Sequence, residues 1–283
     1  TLEKLASHYG LGNVVLYQSN PIYGYRPKPN QSVVRFHQSK IELNNLSLRA
    51  SQAWDDNPKG KILFLGDSVT YGGSYVSNED LFSHQAGKRL GLEPGNAGVN
   101  AWGVLNVHGL VKELDFTPAE VYVSTFPEGD FYRGLTRLGG LPYWTIQPKY
   151  ALEELFYYGL TQINLKKTPG LDYGTLNQHE IKRLVDIAAW HLKDMDSYLK
   201  AKGYKHVIFI TPSRTQALGK AGLDPILAQS LKDHGLEVVY LLDEVKKQDH
   251  IPSLYHDEIH LTKEGHAVWG ELMGRHIRNT VTS

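Results

Sequence analysis

Cysteine is absent from the sequence, which excludes disulfides, thiolate metal ligands and a cysteine nucleophile, and leaves the redox compartment open. An excess of either charge is also missing. Thirty Lys and Arg balance thirty Asp and Glu, so no long-range field draws in nucleic acid or another polyanion. No apolar run approaches the roughly eighteen residues of a membrane span, and the opening TLEKLASHYGLGNVV lacks the basic segment and apolar core of a signal peptide. The chain is expected to be soluble and to carry no membrane span. Because it begins at Thr1, a preceding leader or anchor is compatible with it.

What is present suits a globular enzyme-sized domain. Hydrophobic residues make up 41% and charged residues 21%, enough apolar material for a sizeable core. Residues 1–58 form a Pro-rich and aromatic extension in which SVVRFH and KIELNN, joined by Gln38 and Ser39, predict a hairpin. From residue 59 to 283 apolar runs alternate with amphipathic segments, which predicts an α/β domain. Strands are expected at 61–65, 95–99, 121–126, 206–210 and 237–242, and helices at 79–90, 103–114, 179–202, 224–234 and 262–279. The strands are short and several are apolar on both faces, as in a parallel sheet covered on each side. Asp224 before Pro225 and Thr262 are predicted helix caps. An aromatic insertion at about 131–178 is expected to wall or lid a cleft.

Two motifs carry chemistry. Gly66-Asp67-Ser68-Val69-Thr70 follows the first apolar strand, a place where a serine stands exposed beside the N–H groups of a starting helix. Near the other end, Asp257-Glu258-Ile259-His260 puts a carboxylate and an imidazole within one turn, as a serine nucleophile requires of its base and the base's orienting acid. Each motif alone also suits an ordinary turn or cap. His256, Asp257, His260 and Glu264 are metal-ligand types, but the serine reading already uses two of them, and no metal or cofactor is expected.

GDSVT, then NAGVNAWG, then VSTFPEGDF, then DEIHLT, in that order, resemble the SGNH family of GDSL-type esterases and acyltransferases over roughly residues 60–280. The resemblance implies a flavodoxin-like three-layer α/β/α fold with a mostly parallel five-stranded sheet, Ser68 as nucleophile, His260 as base, Asp257 as its orienting acid, and no metal. It also implies an oxyanion hole from the N–H of Ser68 and of Ala101, with Gly98 as the competing alignment. The chain departs in the third block, where Gly129 stands in place of the family's Asn while Asp130 is kept. Replacement donors are the Gly129 N–H or Asn100.

Asp67, Trp102, Asp130, Arg133 and Trp144 are expected to border the substrate, and Tyr71, Tyr75 and Tyr143 are further candidates for stacking on a sugar ring. YGYRPKPNQ and NNLSLRA resemble the lead-in of bacterial SGNH proteins associated with cell-surface polysaccharides. That points to a small-acyl, O-acetyl ester on a glycan as the partner and to a periplasmic or secreted location. Hydrolysis, acetyl transfer to an exopolysaccharide, and non-catalytic glycan binding remain as alternatives.

Overall fold

The computed structural model describes residues 1–139, 143–167 and 176–282; residues 140–142 and 168–175 of the aromatic insertion lie outside them. Nine strands form along the described chain: β1 (Tyr17–Asn20), β2 (Gly24–Pro27), β3 (Gln31–Val34), β4 (Lys40–Leu43), β5 (Lys61–Gly66), β6 (Glu93–Asn96), β7 (Val121–Pro127), β8 (Lys205–Thr211) and β9 (Val239–Tyr240). The last five make one sheet in the order β6-β5-β7-β8-β9, and every neighbouring pair in it is parallel. Helices cover both faces, giving the three-layer α/β/α fold expected from the sequence.

The period-two geometry of a strand explains how one apolar run serves two layers. Ile62 and Phe64 of β5 join a cluster with Phe82, Ala86, Trp269 and Met273, from the helices Phe82–Leu90 and Lys263–Thr282. Leu63 and Leu65 join the opposite cluster with Val185, Leu192 and Leu227, from Gln178–Ala201 and Pro225–Asp233. The two expected caps are present: Asp224 accepts from the Ile226 N–H at 2.8 Å, and Thr262 Oγ1 from the Gly265 N–H at 3.1 Å.

Several boundaries differ from expectation for local reasons. The second core strand covers 93–96 rather than 95–99, and its Pro94 is tolerated because β6 is an edge strand. The run 237–242 yields only the two-residue β9. The helix expected at 79–90 starts at Phe82, after a 3₁₀ turn at Asn78–Asp80. The helix expected at 103–114 is Val104–His108 followed by a π turn at Gly109–Glu113. A Cβ on Gly109 would lie 2.9 Å from the Ile22 carbonyl oxygen, so the extension crosses the helix there.

The extension holds two hairpins rather than the single one expected. β3 pairs with β4 as predicted, and β1 also pairs with β2, around a turn in which Asn20 Oδ1 accepts the Ile22 N–H at 2.8 Å. Tyr17, Tyr25, Ile41 and Trp54 of the extension lie in the same apolar cluster as Leu63 and Leu65. A fully buried arginine completes the docking. Arg49 donates through Nη1 to the Tyr71 and Gly73 carbonyls at 2.6 and 3.0 Å, and through Nη2 to the Val76 carbonyl at 2.6 Å.

The insertion contains a helix, Ala151–Lys167, that the sequence pattern did not predict. Leu155, Phe156, Tyr158 and Ile163 are exposed on it, so no apolar stripe marks one face. Its inward anchor is Glu154, which pairs with Arg35 of the extension at 2.5 Å and accepts the Gly12 N–H at 2.6 Å. Both side chains are under a tenth exposed. Removing one partner of a buried pair leaves the other charge uncompensated, at about 3–5 kcal/mol. Glu154→Ala is therefore expected to lower stability by that amount, read from the midpoint of denaturant unfolding.

Candidate active site

Ser68 opens the four-residue helix Ser68–Tyr71 directly beyond β5. The turn before it is forced by close contacts. Gly66 has φ 158°, and a Cβ there would come within 2.3 Å of the Thr125 carbonyl oxygen. Asp67 caps the helix, its Oδ1 accepting the Val69 N–H at 2.8 Å. The side chain of Ser68 is thus held at the carboxyl end of β5, where the crevices of open α/β sheets lie.

The loop 255–262 brings the partners. His256 N–H donates to the His260 carbonyl at 2.8 Å and Tyr255 bridges Leu261, closing a tight loop around Asp257. His260 Nε2 lies 2.8 Å from Ser68 Oγ, and His260 Nδ1 lies 2.7 Å from Asp257 Oδ2. The other carboxylate oxygen, Oδ1, accepts the N–H groups of Ile259 and His260 at 2.9 and 2.8 Å. Burial acts to raise the Asp257 carboxyl, but these N–H bonds together with the His260 imidazole outweigh it and hold the group below the ordinary carboxylate value. The carboxylate is thereby an anion aimed at the imidazole. His256 turns away to pack its ring 4.4 Å from that of Tyr75.

A second Ser-His-Asp chain shows what decides between such arrangements. Ser124 Oγ lies 2.9 Å from His206 Nε2, and His206 Nδ1 lies 3.0 Å from Asp196 Oδ1. All three residues are at most 6% exposed, so no substrate reaches them. His260 and Asp257 keep 28% and 50% of their side-chain surface, and Ser68 is half-buried.

No family model matches the chain, and no curated protein matches it. Similar solved structures do exist. A lipase/acylhydrolase from Enterococcus faecalis is 16% identical over 77% of this chain and 96% of its own, with a TM-score of 0.44. A GDSL-like lipase from Bacteroides thetaiotaomicron is 13% identical over 81% and 93%, with a TM-score of 0.43. A carbohydrate esterase family 2 enzyme with its carbohydrate-binding domain, from Corynascus thermopiles, is 13% identical over 82% and 69%, with a TM-score of 0.45. What this chain does chemically rests on its own side chains.

The loop after β6 lies against the serine's helix. Asn96 Nδ2 donates to the Thr70 carbonyl at 2.6 Å, the Val99 N–H donates to the Gly66 carbonyl at 3.2 Å, and a Cβ on Gly98 would sit 2.3 Å from Tyr71 N. Gly98 is thus required by close approach. Its N–H already donates to Asn96 Oδ1 at 2.8 Å, so the alternative of Gly98 as oxyanion donor is corrected. Ala101 has φ 60°, and among the described residues its N–H finds no acceptor. Asn100 turns its side-chain amide to the Tyr17 hydroxyl, 3.5 Å away. Gly129 lies in the 3₁₀ turn Glu128–Phe131; a Cβ there would meet only the Arg133 guanidinium, at 4.0 Å.

Three expected substrate contacts are corrected by burial. Asp67, Trp102 and Asp130 are completely inaccessible. Burial raises the carboxyls of both aspartates, and for Asp130 the neighbouring Asp67 adds to it. Arg133 donates to Asp130 Oδ1 and to the Trp102 carbonyl, each at 3.0 Å, so it braces the second and third motif loops against each other. Trp144 does stand at a cavity, about 570 Å³ in volume, whose wall includes Val15, Tyr71, Asn100, Tyr143 and Tyr158. Tyr71 and Asn100 each neighbour the site, one on the serine's helix and one beside Ala101. The Tyr25 hydroxyl, which the sequence reading passed over, reaches the Asn100 carbonyl at 2.6 Å. Aromatic density in the extension was its only signal.

Proposed function

We infer that the chain is an SGNH-type serine ester hydrolase. The observation that carries this reading is the accessible chain of hydrogen bonds from Asp257 through His260 to Ser68 Oγ, at 2.7 and 2.8 Å. In the first half-reaction Ser68 Oγ attacks the ester carbonyl carbon while His260 Nε2 takes the hydroxyl proton. Asp257 stabilises the imidazolium that results. The tetrahedral oxyanion is met by the N–H groups of Ser68 and Ala101, with that of Gly129 as a third candidate. Collapse of the adduct expels the alcohol, which takes the proton from His260 and leaves an acyl-serine. Water then attacks the acyl carbon, again losing a proton to Nε2, and releases the carboxylic acid and the free serine.

The substrate is proposed to be a small acyl ester, an O-acetyl group on a carbohydrate. Trp144 at the cavity offers a face on which a sugar ring can stack.

Covalent labelling tests the reading. An alkyl fluorophosphonate is expected to add one phosphonyl group to the folded protein, displacing fluoride, with the adduct mapped by peptide mass to Ser68. A native protein that stays unlabelled under conditions that label a known serine esterase would sink the proposal.

A further inference from the structure

Two phenols from distant parts of the chain converge on a single carbonyl beside the site. Tyr25 Oη of the extension donates to Asn100 O at 2.6 Å, and Tyr143 Oη of the insertion donates to the same oxygen at 3.0 Å. Each hydroxyl has one proton and the carbonyl has two lone pairs. The acceptor is therefore filled; the Tyr143 hydroxyl, 3.2 Å away, is a second and longer hydrogen-bond partner for the Tyr25 proton. Burial raises the pKa of both tyrosines, so both remain proton donors.

That carbonyl belongs to the Asn100–Ala101 peptide. A trans peptide is planar, with its N–H opposite its C=O, and no cis bond occurs among the described residues. Fixing the oxygen fixes the direction of the Ala101 N–H. The left-handed conformation of Ala101 is unfavourable for a residue with a Cβ and persists only where the surroundings impose it. The surroundings here are aromatic and tight. The Tyr25 ring lies 4.9 Å from that of Tyr143 and 6.5 Å from that of Trp102, while Gly98 fills the space against the serine's helix.

We propose that Tyr25 and Tyr143 are positioning residues for the esterase reaction: by holding the Asn100 carbonyl they aim and polarise the Ala101 N–H as an oxyanion donor. This rests on the serine mechanism proposed above. Two O–H bonds draw electron density toward the carbonyl oxygen and leave the N–H on the same peptide a stronger donor. The arrangement offsets the lack of a side-chain amide at position 129, and it makes the extension and the insertion part of the catalytic apparatus without either hydroxyl touching the substrate.

The test is steady-state hydrolysis of 4-nitrophenyl acetate by Tyr25→Phe, Tyr143→Phe and the double variant, each keeping its ring and its packing. Removing an oxyanion donor outright lowers kcat about 100- to 1000-fold. Loosening one should therefore lower it about 3- to 10-fold per hydroxyl and up to about 100-fold for the pair, with KM changed less than about twofold. Affinity for a boronic acid, which forms a tetrahedral adduct on the serine, should weaken in step with kcat. A double variant that keeps kcat within twofold, while wild-type turnover still requires Ser68, overturns this inference and leaves the serine mechanism standing. A rise in KM with boronate affinity unmoved also overturns it, assigning the hydroxyls to substrate binding. Wild-type turnover indifferent to Ser68→Ala overturns the mechanism and the inference together.

Discussion

Ser68→Ala is expected to lower turnover of 4-nitrophenyl acetate by about 10⁵- to 10⁶-fold, approaching the loss of roughly 2 × 10⁶ seen when the nucleophile of a known serine protease is removed. At 1.36 kcal/mol per factor of ten this is about 7–8 kcal/mol of transition-state stabilisation. The size follows from the chemistry. Without Oγ there is no covalent intermediate, and His260 Nε2, now 2.8 Å from an empty position, has no proton to accept. The fold should be little affected, because Ser68 Oγ bonds only to His260 among the described residues and the cap of its helix is the Asp67 side chain. A variant that retains more than about one-tenth of the wild-type rate would show that hydrolysis, if present, runs elsewhere on the molecule.

Asp257→Asn should have the second largest effect, about 10⁴-fold in kcat, the loss produced by the same change in a protease triad. Asparagine keeps an oxygen able to accept from the N–H groups of Ile259 and His260, which now bond to Oδ1 at 2.9 and 2.8 Å. Its amide NH₂ would then face His260 Nδ1, where a carboxylate oxygen now accepts at 2.7 Å. The imidazole must turn its lone pair to Nδ1 and carry its proton on Nε2, so it cannot take the serine's proton. Steady-state rates with an unfolding curve in parallel check this. A fall of less than about tenfold with the fold intact would remove Asp257 from the mechanism. In the native protein the carboxyl is held below its ordinary value, so its orienting charge persists down to the acidic side of about pH 4.

Legibility in the sequence followed the range of the interactions concerned. The central strands were readable because β5 and β7 are apolar on both faces, a local property. The meeting of Ser68, Asp257 and His260 was readable because each stands in a short motif whose residue types a serine mechanism would demand. Burial is not a local property, and there the reading failed. Asp67 and Asp130 looked like polar groups bordering a cleft, yet they lie sealed beside Arg133. The helix Ala151–Lys167 gave no signal because its apolar residues do not segregate to one face, several being exposed. The two phenols on Asn100 were invisible for another reason: their target is a backbone atom, which leaves no trace in residue identity.

Ser68 and His260 sit 192 positions apart, and the loop that carries His260 is held both by its own bonds and by the Arg214 N–H, which donates to the Glu258 carbonyl at 2.7 Å. During synthesis the serine's strand and turn leave the ribosome long before the imidazole exists. On the proposed mechanism the nascent protein is therefore chemically silent toward esters until the segment carrying His260 has docked, and first turnover can serve as a clock for that docking.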